Sequence, residues 1–237
     1  MTIIQGELWT LLVNAIPVAL LGAVLGLDMV SFPQVMISRP LVSATLAGAL
    51  LGRPSAGLLI GVVLELIALE TLPFGASRYA EWGSAGAVGG AVFAAQPPST
   101  PAGLPMGVLA ALAAALLSSR SMVVLRRWNG RYATSMRDAI NAGSASAVTS
   151  VQLRGLLTDF IRGGTVTLIS LLAFLPLTHR LLTYWNSDAI HSRAFVVALA
   201  GMVAAGAVWR LFHTTVRGGW LFLLGLGVGA VVLLVVP

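Results

Sequence analysis

The 237-residue chain has no cysteine, no lysine and only three histidines. Without cysteine there is no disulfide, no thiolate nucleophile and no thiolate metal site, and the redox compartment leaves no mark on the sequence. His179, His191 and His213 lack metal-ligand spacing and read as interfacial residues near span ends. No Walker-type or dinucleotide-type glycine loop follows a strand, and no serine sits in a nucleophile elbow. The sequence therefore offers no catalytic constellation and implies no cofactor. Any transport work must draw on an ion gradient or on another protein.

Charge is scarce as well: 9% of residues are charged against 57% hydrophobic, with a mean hydropathy of +0.93. Most of such a chain cannot be the surface of a soluble protein, so an all-α integral membrane protein is expected, folded as one polytopic domain over residues 1–237. A span needs about 20 mostly apolar residues, because roughly 30 Å of hydrocarbon is crossed at about 1.5 Å per residue. Residues 8–27, 163–179, 194–209 and 218–237 qualify or nearly do. The uncharged stretch 82–119 is broken by Gln96-Pro97-Pro98-Ser99-Thr100-Pro101 into a hairpin of two helices. No basic residue precedes the first apolar run, so that run is expected to stay as a span rather than be removed as a signal peptide.

The net charge of +6 comes from fourteen arginines. Seven of them, Arg120, Arg126, Arg127, Arg131, Arg137, Arg154 and Arg162, fall between two spans, accompanied only by Asp138 and Asp159. This bias places 120–162 in the cytoplasm and argues against a nucleic-acid surface. The other spans then alternate, with Arg78 and the group Arg210, His213 and Arg217 also inside. The 120–162 segment reads as a cytoplasmic loop with one or two short amphipathic helices, suited to anionic lipid, to a cytoplasmic partner or merely to solvation.

Between residues 40 and 72, Arg53-Pro54 and Glu65 interrupt segments too short to span and too apolar for a loop. A broken or re-entrant helix hairpin is predicted, of the kind that surrounds substrate sites in transporters. Ala44, Gly48 and Gly52, then Gly57 and Gly61, recur at spacings that allow close helix packing.

Ionisable groups in or beside these segments are costly and point to a substrate path. Glu65 has apolar neighbours for a dozen residues on its N-terminal side. Its carboxylate must take up a proton or find a donor: a sugar hydroxyl, Arg39, Arg53 or a backbone amide. A carboxylate accepts two hydroxyls at once, which suits carbohydrate recognition, and a structural ion pair is the rival role. Asp28, Gln34, Ser38 and Arg39 lie between the first span and the broken helix. Pro40 suits a first helical turn, Ser38 is placed to cap it, Arg39 to snorkel, and Asp28 to serve as a boundary charge. Glu70, near the end of its segment, reads as a solvated interfacial residue, and Glu81 as lying nearer water than Glu65.

The run Ser38-Arg39-Pro40-Leu41-Val42-Ser43-Ala44-Thr45-Leu46-Ala47-Gly48, then Leu50-Leu51-Gly52, Gly57 to Gly61, Leu64-Glu65-Leu66-Ile67-Ala68-Leu69 and Gly75-Ala76, resembles the EIIC permease subunit of the mannose/sorbose-type sugar phosphotransferase system. The resemblance is specific over about residues 27–95 and rests on length and hydropathy beyond 100. It implies a bacterial plasma-membrane subunit, oligomeric in its assembly with a second membrane subunit, EIID. It also implies cytoplasmic EIIA and EIIB that phosphorylate a hexose-like sugar on arrival. On it, Glu65 matches the glutamate of the family's L-E motif and is the foremost sugar ligand, and Glu81 matches the acidic residue after the G-A motif. Asp28, Gln34 and Arg39, from their place beside the broken helix, join them as substrate-binding candidates. The chain departs from the family at Ser38, where histidine is frequent, and at Glu70 and Pro73. A non-transporting scaffold or sensor on the same fold, and a proton-coupled secondary transporter using Asp28 and Glu65, are the alternative functions.

Overall fold

The computed structural model describes residues 2–29, 31–69, 79–97, 100, 102–184, 189–212 and 216–235. Glu70, Pro73, Gly75, Ala76, Arg78 and His213, all weighed above, lie outside them. The described residues form helices and no strand: α1 (Thr2–Asp28), α2 (Pro40–Leu50), α3 (Pro54–Ala68), α4 (Trp82–Ala94), α5 (Gly103–Ser135), α6 (Arg137–Asn141), α7 (Ala145–Thr183), α8 (Ala189–Phe212) and α9 (Val216–Val235). The chain is thus an all-helical membrane bundle, and among the described residues α5 and α7 are long and apolar enough to cross a bilayer.

Within the predicted break at 40–72, the described residues 40–68 form a helical hairpin. At about 1.5 Å per residue, α2 rises roughly 16 Å and α3 roughly 22 Å, so neither crosses about 30 Å of hydrocarbon. Gly52, at φ +71°, ends α2 in a Schellman turn: the Gly52 amide donates to the Ala49 carbonyl (2.9 Å) and the Arg53 amide to the Gly48 carbonyl (2.7 Å). Pro54 then opens α3 where a missing donor costs nothing. The glycine spacing acts partly as expected. Gly48 and Gly57 meet backbone to backbone, and a Cβ on Gly57 would lie 2.3 Å from the Ala44 carbonyl oxygen. Gly52 serves the turn instead, with open space around it.

The same device holds the hairpin to its neighbours. A Cβ on Gly90 of α4 would lie 2.5 Å from the Ala44 carbonyl, so α2 is wedged between α3 and α4. Helices α1 and α7 cross just as closely, with Gly22 against Thr167 and Gly26 against Gly163. Between these contacts lies a core of small and branched side chains, including Ala44, Ala47, Ile60, Leu64, Val88, Ala111 and Leu171. In lipid, where apolar burial gives little drive, such small-residue contact is what lets helices associate.

As predicted, α4 ends just before the 96–101 break and α5 begins just after it, and Gln96, just past the end of α4, faces the α2–α3 tip. Arg53 donates to the carbonyls of Ala94 (3.0 Å) and Gln96, so the tips of both hairpins are tied together. The 120–162 segment differs from expectation. It is not a loop carrying short helices but the continuation of two long ones, α5 to Ser135 and α7 from Ala145, joined through α6 and a tight turn at Gly143 (φ +80°). The two extensions zip together: Thr158 donates to Asn129 (3.1 Å), Tyr132 to Ser150 (3.4 Å), and the Arg154 guanidinium lies 3.9 Å from the Tyr132 ring centre. Packing along the pair offsets the weak helix propensity of Gly130.

Candidate functional site

The end of the bundle opposite the hairpin tips gathers nearly every ionisable group singled out in the sequence. Pro40 opens α2 as predicted, but the Ser38 side chain does not cap it. That role falls to Glu65, reaching over from α3: one carboxylate oxygen accepts from the Leu41 amide (3.1 Å) and the other from Nε and a terminal nitrogen of Arg39. Of the donors open to Glu65 in the sequence, Arg39 and a backbone amide are therefore the ones used, and Arg53 lies at the other end. The pair is not sealed. Each side chain keeps 23% of its surface exposed, at the mouth where α2 and α3 begin and end.

Asp28 is a loop organiser rather than a boundary charge. It closes α1, is 1% exposed, and accepts from the amides of Val35 (2.7 Å) and Ser38 (2.9 Å). It thereby pins the loop that presents Arg39. Gln34 sits exposed on that loop in left-handed backbone (φ +61°), a conformation that costs most residues energy and that the two Asp28 bonds help to hold.

Glu81 lies at this end of the bundle but not nearer water: it is fully buried. As N-cap of α4 it accepts from the Ser84 amide (2.9 Å), and it also accepts from the hydroxyls of Ser84 and of Ser118 on α5 (2.9 Å). The Ser118 hydroxyl in turn accepts from Arg162 of α7 (2.7 Å), whose Nη1 stands 3.9 Å from the Glu81 carboxylate. Arg162 donates through Nε to Asp159 (2.9 Å), and Asp159 accepts from Ser31 (2.7 Å) in the α1–α2 loop. A continuous charged network thus ties α4, α5 and α7 to the loop after α1. Gly86, one turn into α4, packs against Pro40 and Ser43, which sets this network beside the Arg39–Glu65 pair. Nearby, Tyr79 lies under the Arg126 guanidinium, 5.2 Å from its ring centre. Burial pushes its phenol pKa up, partly opposed by Arg126, so it stays protonated at neutral pH.

Asp159, Arg162 and Ser118 were missed by sequence reading, which counted the first two among loop charges. The available signal was the i, i+3 acid–base pair directly before Gly163-Gly164 and an apolar run. Among the described residues no group of acidic and histidine side chains is placed to hold a metal ion. Chemically the site offers one partly exposed carboxylate–guanidinium pair at a helix N-terminus, able to exchange hydrogen bonds with hydroxyls, and one buried network that is already satisfied apart from Nη2 of Arg162.

Comparison with known proteins agrees with this architecture. The family model described as the PTS system sorbose-specific IIC component matches residues 12–224. A solved structure described as a membrane protein superposes with a TM-score of 0.68 at 20% identity, over 92% of this chain and 86% of the other. A chain from the electron cryomicroscopy structure of the mannose transporter ManYZ with microcin E492 superposes with a TM-score of 0.60 at 19% identity, over 94% and 87% respectively. At such identities these two likenesses establish the fold alone. No curated protein matches the chain.

Proposed function

Because the chain belongs to the family of sorbose-specific IIC components of the sugar phosphotransferase system, we propose that it binds a hexose-like sugar and carries it across a bacterial inner membrane to be phosphorylated on a partner subunit. The membrane partner on this reading is an EIID subunit, and EIIA and EIIB relay the phosphoryl group in the cytoplasm. The observation that carries the site assignment is the partly exposed Arg39–Glu65 pair at the N-terminus of the short helix α2. Carboxylate and guanidinium there together present acceptors and donors, matching the paired hydroxyls of a sugar. Asp28 and Gln34 support the pair through the loop that carries Arg39, and Glu81 supports it from α4. The chain itself acts as the transport component and the chemistry lies on its partners.

The ion-pair geometry also favours a second reading, in which Glu65 is a brace and the fold serves as a scaffold. The two separate in one experiment. Purified chain, alone and with a co-expressed EIID subunit, is titrated with hexoses while its thermal unfolding is followed. The transport reading expects saturable sugar binding that Arg39→Gln and Glu65→Gln weaken. Absence of binding in both preparations, with both variants merely less stable, supports the scaffold.

A further inference from the structure

Helix α5 carries on one exposed face Arg120, Val124, Arg127, Trp128 and Arg131, at intervals of three, four and seven that keep them on a single stripe. All five are exposed, Trp128 by 63%. Among the described residues no carboxylate is bonded to any of the three arginines. Asp159, the one acid at this level of α7, is buried and taken by Arg162 and Ser31. The stripe therefore holds three uncompensated positive charges interleaved with apolar side chains.

Depth can be counted. From Gly103 about 20 residues at about 1.5 Å each exhaust the roughly 30 Å hydrocarbon near residue 122, and a headgroup layer of about 5–7 Å takes the next four or five. Val124, Arg127 and Trp128 fall at that layer, with Arg120 one turn above and Arg131 one turn below, each long enough to reach it. The stripe is continuous with Leu109, Leu116 and Leu117 higher on α5, which are exposed and, by the same count, lie at hydrocarbon depth. Leu157 of α7 stands exposed at the same level, fixed there by the Thr158–Asn129 bond one residue on.

We propose that this α5 stripe binds the phosphate headgroups of anionic phospholipids in the cytoplasmic leaflet, fixing the depth and tilt of the α5–α7 arm. The arginines hold the headgroups while Trp128 and Val124 seat among the upper acyl carbons, the arrangement that interfacial basic and aromatic residues adopt. An acidic protein would meet the same charge. The continuity of the stripe with the lipid-facing leucines favours lipid, since a protein docked there would have to displace the first lipid shell.

The full chain in mild detergent is titrated with phosphatidylglycerol and with phosphatidylcholine of identical acyl chains, and bound lipid is counted by native mass spectrometry. Phosphatidylglycerol should be retained preferentially. Replacing all three arginines by glutamine should weaken it by about a hundredfold, roughly fivefold per charge, and Arg127→Gln alone by roughly fivefold, while replacement of all three by lysine should keep most of it. Arg137→Gln, outside the stripe, should change nothing. Equal retention by wild type and the glutamine variants overturns the proposal, as does displacement of the lipid by millimolar inorganic phosphate, which would mark a free-phosphate site. Unchanged lipid retention with loss of a cytoplasmic partner assigns the stripe to protein instead. Should the triple glutamine form fail to fold, Arg127→Gln and the lysine form still decide.

Discussion

Glu65 and Glu81 are both glutamates flanked by apolar sequence, yet their surroundings give them opposite tasks. Glu65 shares a partly exposed mouth with Arg39, so its charge is available to a ligand. Glutamine there keeps the volume and one acceptor but loses the charge. A charge-assisted hydrogen bond is worth roughly 1.5–3 kcal/mol, so Glu65→Gln should weaken sugar binding by about tenfold to a hundredfold. Its unfolding temperature should fall only slightly. Glu81 is sealed among Ser84, Ser118 and Arg162. Breaking such a buried pair costs about 3–5 kcal/mol, so Glu81→Gln should lose far more stability than Glu65→Gln, the reverse of what position along the sequence suggested. Thermal unfolding and sugar titration of both variants in one detergent make the comparison. Equal stability losses would remove the distinction. The Arg39–Glu65 pairing was legible because few charges compete for each other in that stretch. Arg162 was not, because a charge count along the chain cannot tell a solvated arginine from one turned into the bundle.

At the scale of elements, three glycines make contrasting tests. Gly57 has the Ala44 carbonyl where a Cβ would go, so Gly57→Ala should force α2 and α3 apart at a cost of roughly 1–3 kcal/mol. Gly52 holds a left-handed turn in open space, so Gly52→Ala should cost about 1–2 kcal/mol through backbone strain alone. Gly130 lies mid-helix with nothing within 4 Å, and Gly130→Ala should stabilise by about 0.5–1 kcal/mol. Melting temperatures rank them, and a neutral Gly57→Ala would contradict the close crossing. These elements were unequally readable. Arg53-Pro54, Pro40 and the 96–101 prolines marked helix ends correctly because proline acts locally. The continuation of α5 and α7 through 120–162 was hidden because it depends on contacts such as Thr158–Asn129 between residues distant in sequence.

For the whole molecule, the bundle places both hairpin tips at one end and the Arg39, Glu65, Glu81 and Arg162 groups at the other, the end from which the arginine-rich arm extends. The Lys/Arg bias predicts that this end faces the cytoplasm. In intact cells a cysteine at Ala142, in the exposed turn of the arm, should resist an impermeant thiol reagent, and one at Thr183, at the far end of α7, should react. The opposite labelling pattern would invert the topology.

The most direct test of the account is the chemical form in which sugar crosses. Vesicles carrying this chain with EIID, supplied inside with EIIA, EIIB, the phosphocarrier and phosphoenolpyruvate, should accumulate hexose as its phosphate. The chain alone under a proton gradient should accumulate none. Accumulation of unmodified hexose by the chain alone would contradict the account and make Asp28 and Glu65 parts of a proton-coupled transporter.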